Sequence, residues 1–115
     1  MQDRFKFRHW DKRINKMFYP ERNDNFGYYV NNSDIIETMQ STGLKDSNGK
    51  LIYENDIVTD VLANQFTINF DEKYLAFLLT NIKTKESMVF YPNIKLEIIG
   101  NIYENPELLE VQNDQ

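Results

Sequence analysis

The stretch TGLKDSNGKLIYENDIV, residues 42–58, decides how the chain is read. Asn48-Gly49 is a favoured pair for a type I′ turn, in which both central residues take positive φ. Its flanks, Leu44–Asp46 and Leu51–Tyr53, are short enough for a tight hairpin. Glu54-Asn55 then breaks the run, with Asn55 suited to the left-handed region, and Ile57-Val58 opens another strand. A hairpin followed at once by a third strand makes the centre of this chain β.

Strands continue on both sides. Downstream, QFTINF (65–70) alternates Phe66, Ile68 and Phe70 on one face, the period-two pattern of a half-buried strand. Asp71-Glu72-Lys73 turns the chain into YLAFLLTN (74–81), whose apolar run predicts a strand covered on both faces. MVFY (88–91) and LEIIGNIY (96–103) follow, and Gly100 inside the latter marks a bulge or a close backbone approach. Asn105, Pro106 and Glu107 have the order of a helix start. Upstream, RFKFRHW (4–10) alternates Phe5, Phe7 and His9 against Arg4, Lys6, Arg8 and Trp10. INKMFY (14–19) pairs with it as a hairpin, FGYYV (26–30) reads as a short aromatic strand, and DIIETMQ (34–40) fits either a strand or one capped turn of helix. The pattern predicts a mainly β fold: an N-terminal β-hairpin lobe over 1–38, then a small twisted, barrel-like sheet over 39–115 with a short C-terminal helix.

Composition narrows the function. The chain has 115 residues, 41% of them hydrophobic, enough for one packed domain. With no cysteine, it has no disulfide, thiolate nucleophile or thiolate metal site. No apolar run approaches the roughly 20 residues that span a bilayer. The N-terminus lacks the apolar stretch of a secretory signal, which predicts a protein retained in the cytoplasm without a membrane partner. Net charge is −5, unevenly placed: residues 1–17 carry a balance of +4, so the remainder carries −9. A basic arm on an acidic body suits either nucleic acid or the acidic face of another copy. The residues available for such contact are Arg4, Lys6, Arg8, Trp10, Lys12 and Arg13.

No phosphate loop, dinucleotide fingerprint or nucleophile elbow is present. His9, the single imidazole, lies on the Phe5/Phe7 face without a partner motif, as a structural histidine does. Glu54 and Asp56, two apart, could hold a divalent ion or act as acid and base, yet they flank a chain reversal where carboxylates serve backbone donors. Phe18, Tyr19, Phe26, Tyr28 and Tyr29 could stack on single-stranded nucleic acid. Aromatics also dominate small cores and interfaces, and the acidic body opposes phosphate binding. No cofactor is expected.

Three segments together go beyond pattern: FKFRHWD (5–11), MQSTGLKDSNGKLIYENDIV (39–58) and IIGNIYENPELL (98–109). They resemble the YopX family of bacteriophage and prophage proteins, whose members open on K-F-R-x-W-D, centre on M-Q-aromatic-T-G-L-K-D-x-N-G-K-x-I-Y-E-G-D-I-V and close on I-G-N-I-Y-E-N-P-E-L-L. Ser41 stands where the family usually has an aromatic, and Asn55 where it usually has glycine. The resemblance implies a β-rich protein with a barrel-like part from Met39, no established enzymatic activity, and a bacterial host cell. The shared residues Gly43, Asp46, Asn48, Gly49, Asp56, Gly100, Asn105 and Pro106 carry turn and cap chemistry, so they read as fold-specifying. The expectation is a non-enzymatic accessory protein that contacts a phage or host protein and other copies of itself. The alternative is a nucleic-acid-binding barrel using the basic first strand. A metal-dependent hydrolase at Glu54 and Asp56 ranks third.

Overall fold

One strand organises the N-terminal half. In the computed structural model, which describes residues 5–20 and 25–110, β3 (Ile36–Lys45) is ten residues long and holds two partners in succession. Its first half pairs antiparallel with β1 (Phe7–Asp11), setting Asp11 opposite Ile36 and Phe7 opposite Gln40. Its second half pairs with β4 (Leu51–Tyr53), setting Ser41 opposite Tyr53 and Lys45 opposite Leu51. With β2 (Lys16–Phe18) beyond β1, this is a four-stranded sheet in the order β2-β1-β3-β4. The ambiguous DIIETMQ segment is therefore strand from Ile36 onward, after a turn through Asp34 and Ile35, and the boundary drawn at 38/39 falls inside β3.

The second sheet has five strands, β5 (Asp56–Thr59), β6 (Gln65–Asp71), β7 (Ala76–Asn81), β8 (Ser87–Val89) and β9 (Glu97–Asn101), in the order β8-β7-β6-β5-β9. It curls into a half-barrel over Ile52, Val58, Phe66, Ile68, Leu79 and Leu96. β7 is buried on both faces at its centre, Leu78 and Leu79 pointing opposite ways. A smaller cluster of Trp10, Met17 and Met39 underlies the first sheet. Among the described residues the fold is thus mainly β, with a short helix and a C-terminal 3₁₀ turn.

Three local expectations need correction. FGYYV is not a strand: Phe26–Asn31 forms α1. Phe26 and Tyr29 are three apart, so they share a helical face. Phe26 packs 4.9 Å from Phe7, and Tyr29 stacks 3.8 Å from His9 with their rings 8° apart. Docking on β1 overrides the strand preference of the aromatics. The hairpin over 46–50 is not a type I′ turn, because only Gly49 has positive φ (82°) while Asn48 does not. Gly49 N–H donates to the Asp46 carbonyl (3.0 Å) and Asp46 N–H to the Lys50 carbonyl (2.7 Å), closing a three-residue loop. The C-terminal helix is only a 3₁₀ turn, Pro106–Leu109, and the Asn105 side chain does not cap it. Instead Asn105 Oδ1 accepts from Asn101 N–H at 3.2 Å.

That reversed asparagine explains Gly100. The β5–β9 register shifts between Ile57, opposite Gly100, and Val58, opposite Ile98, so Ile99 is an extra residue. A Cβ on Gly100 would lie 2.5 Å from Asn105 Oδ1 and 2.6 Å from its Cγ. Gly100→Ala is expected to destabilise the fold by about 1–3 kcal/mol through overpacking. Urea denaturation followed by fluorescence of Trp10, the sole tryptophan, checks this; an unchanged midpoint would refute the clash.

Candidate functional site

Arg8 comes from the basic face of the first strand, yet it is 2% exposed. A tight antiparallel pairing with β3 brings it against the start of β5, where its Nη1 lies 2.8 Å from Asp56 Oδ1. Nη2 donates to the Glu54 carbonyl at 2.8 Å, Nη1 to the Tyr19 hydroxyl at 3.3 Å and Nε to Met39 Sδ at 3.4 Å. The guanidinium also lies 4.9 Å from the centre of the Tyr53 ring, within range of a cation–π contact. This cation joins the first sheet to the second.

The carboxylates around it are engaged by backbone donors. Asp56 Oδ2 accepts from Tyr53 N–H (2.8 Å), and Glu54 Oε1 from Gln40 N–H (2.7 Å). Burial pushes both carboxyls up, against the charge of Arg8 and these N–H bonds. Asp46 goes the other way. Burial raises it, but N–H bonds from Ile98, Lys50 and Asn48, together with the Lys50 charge, hold it below its ordinary value. Its Oδ1 serves Asn48 and Lys50 while Oδ2 reaches Ile98 in β9 at 3.0 Å. Glu54 and Asp56 therefore bond to different strands, and no cluster of three histidine or carboxylate side chains suited to a metal occurs among the described residues.

The closing segment completes the joint. Tyr103 stacks on Trp10 (5.3 Å, 20° between rings), and its hydroxyl accepts from Asn55 Nδ2 at 3.2 Å. Asn55 takes φ 68°, the left-handed conformation expected of it. Ser41, fully buried, accepts from Gly43 N–H at 2.9 Å where β3 bulges and Gly43 takes φ 81°. Asn48 reaches Glu97 at 3.4 Å, and Pro106 opens the 3₁₀ turn. Above Arg8 and Asp56 lies an open groove of about 680 Å³, with Lys6, Tyr19, Lys50, Leu51, Ile99 and Glu104 on its walls. All three motif segments border it.

The remaining candidates are dispersed. Arg4 lies outside the described residues. Trp10 is buried under Tyr103, so neither it nor Arg8 presents a surface for a partner. Lys12 pairs with Glu37 (2.9 Å), and Arg13 grips Asp11 with two bonds of 2.9 and 3.2 Å. Lys6 lies at the groove, exposed. His9 is buried; its Nδ1 is 2.9 Å from Thr38 Oγ1 and its ring is covered by Tyr29. Tyr28 is half exposed, while Tyr19 meets Tyr53 edge to face at 5.8 Å. Nothing in the sequence set Arg8 apart from Arg4 and Lys6 on the same strand face, and acidic residues also cluster at Asp71-Glu72, so its inward turn had no distinguishing signal.

Two β-sheets hinged on a buried arginine–carboxylate pair define a small β protein whose shared motif residues hold the fold together. The chain belongs to the YopX family: the family profile, described as YopX protein, matches residues 20–110. It is similar to the crystal structure of protein EF1440 from Enterococcus faecalis, with 26% identity and a TM-score of 0.64 over 91% of this chain and 97% of that one. It also shares the fold of protein yopX from Bacillus subtilis, with 20% identity and a TM-score of 0.58 over 93% and 99%. No curated protein matches the chain.

Two outcomes follow from the joint. Arg8→Met leaves Asp56 buried without its counter-charge, and Asp56→Asn does the same to Arg8; each is expected to cost about 3–5 kcal/mol of stability. The double variant should cost less than the sum by about 1 kcal/mol or more, as a double-mutant cycle in urea would reveal; strict additivity would mean the pair is not coupled. Separately, burial lowers the His9 pKa from 6.5. The unfolded chain then binds the proton first, so His9 lowers stability as pH falls below the ordinary imidazole value and contributes no change above it. In tag-free protein the lone imidazole gives one NMR titration, and a midpoint at or above 6.5 would contradict its burial.

Proposed function

We propose that this YopX-family protein is a non-enzymatic accessory protein of a bacteriophage or prophage. It works in the bacterial cytoplasm through contacts with a phage or host protein and with copies of itself. One observation carries this reading: large apolar side chains stand exposed on the five-stranded sheet while the motif residues are occupied inside the fold. Tyr74 and Leu75 in the β6–β7 turn are 65% and 77% exposed, and Val89 and Tyr91 on and after β8 are 53% and 51% exposed. β8 runs towards the β6–β7 turn, which brings these groups to one end of the sheet. Apolar surface gathered in this way suits protein association.

The nucleic-acid reading has weaker support. Arg8, Lys12 and Arg13 each have a carboxylate partner within the chain, which leaves less charge for phosphates. Among the described residues no helix is long and apolar enough to cross a membrane.

Sedimentation velocity from micromolar to millimolar concentration should show species heavier than the 13.8 kDa monomer. Anisotropy of labelled single-stranded DNA should stay flat at low salt. A monomer throughout, together with DNA binding that falls steeply with salt and with loss of Lys6 and Arg13, would reverse the two readings.

A further inference from the structure

The two sheets end in four lateral strands, β2, β4, β8 and β9. Free edges invite pairing, and natural sheets block them with charge, bulges or side-chain caps. β9 is blocked in this way: Ile98 N–H is taken by Asp46 and Asn101 N–H by Asn105. At β4, the outward Tyr53 N–H is taken by Asp56. β2 is as short as β8, but it carries the charge of Lys16, the one exposed residue of its three. β8, Ser-Met-Val, has no charged residue and is exposed along its whole length.

The backbone direction of β8 follows from its register. Phe90 N–H donates to the Phe77 carbonyl (2.9 Å), and Asn81 N–H to the Glu86 carbonyl (2.8 Å). Alternation along an antiparallel ladder then makes 86, 88 and 90 the residues bonded to β7. Ser87 and Val89 turn their N–H and C=O groups outward. Beside this edge is a second cavity, about 500 Å³, lined by Phe66, Asn81, Thr84, Glu86, Ser87 and Met88.

The geometry points to β8 as the self-association strand, pairing antiparallel with β8 of a second copy across a two-fold axis at Met88. This inference rests on the self-association reading above and assigns it a surface. The occupant is chosen by register. With Met88 on the axis, Ser87 of each copy faces Val89 of the other, so the outward groups meet in two reciprocal pairs and form four main-chain hydrogen bonds. Glu86 then lies opposite Phe90 of the second copy, and Lys85 opposite its Tyr91, so no like charges meet. Met88 lies opposite Leu79, on the face where the cavity opens towards Phe66, and two flexible thioethers can fill that space. Such a contact closes after two copies and cannot propagate into a fibre.

Val89→Pro separates assembly from folding, since the N–H it removes is not bonded to β7. By symmetry it deletes two of the four intermolecular bonds, which should weaken association about thirtyfold or more at ~1 kcal/mol each. Met88→Lys, which places two ammonium groups at the axis, should do likewise. Sedimentation velocity gives the association constants, and thermal unfolding of dilute protein confirms the fold. In the unaltered chain, amide exchange at Ser87 and Val89 should slow as concentration rises. Folded variants that assemble like the parent, with those amides unprotected, would overturn the β8 assignment while self-association stood. A parent that stays monomeric would overturn self-association itself. Should a variant fail to fold, the exchange measurement on the unaltered chain decides the matter.

Discussion

The structure depends on a positive charge held almost wholly out of water, at the floor of a groove. Arg8 is 2% exposed and must find its counter-charge inside the protein, and Asp56, from the other sheet, supplies it at 2.8 Å. A buried guanidinium tolerates few arrangements, because each donor needs an acceptor in the right direction. The Glu54 carbonyl, the Tyr19 hydroxyl and Asp56 meet that demand only if β1, β2, β4 and β5 hold their present relative positions. Apolar packing alone would let the two sheets slide; the ion pair fixes their register.

A second constraint recurs at the strand ends. Asp11, Asp46, Asp60, Asp71, Asn81 and Asn101 each accept N–H bonds from residues two to four places on. Three of these turns then place a non-glycine residue at positive φ four positions after the acceptor: Asn15, Leu75 and Lys85. Leucine and lysine rarely adopt that conformation. The side-chain caps offset its cost, so a chain with only four glycines can still reverse direction at every hairpin.

Much of this was legible in the sequence, for physical reasons that differ by element. β6 announced itself because one covered face imposes a period of two, β7 because two covered faces leave a continuous apolar run, and Asn55 because few other residues tolerate its φ. Gly100 was legible as a bulge, although only the fold shows that Asn105 fills the space beside it. α1 was not legible: six residues cannot display a helical period, and its identity is set by Phe7 and His9, which are far away in sequence. At the joint, Arg8 and Asp56 could each be singled out, but alternation assigned Arg8 to a solvent face. Strand β1 is covered on both sides, by α1 over His9 and by the second sheet over Arg8, and a period-two pattern carries no sign of a second cover.

The stacking of Trp10 on Tyr103 has a consequence for the order in which the protein can be made. Strand β1 precedes in the chain the residues that cover it: its tryptophan is covered by a residue synthesised more than ninety positions later, and its arginine waits for Asp56. Contacts so distant along the chain close late, after most of the loop entropy has been lost. Until then the N-terminal strand carries an unneutralised cation that keeps it hydrated and resists premature collapse. Strand β1 is therefore sealed only after the segments that cover it have been made, and its inner face stays open until then.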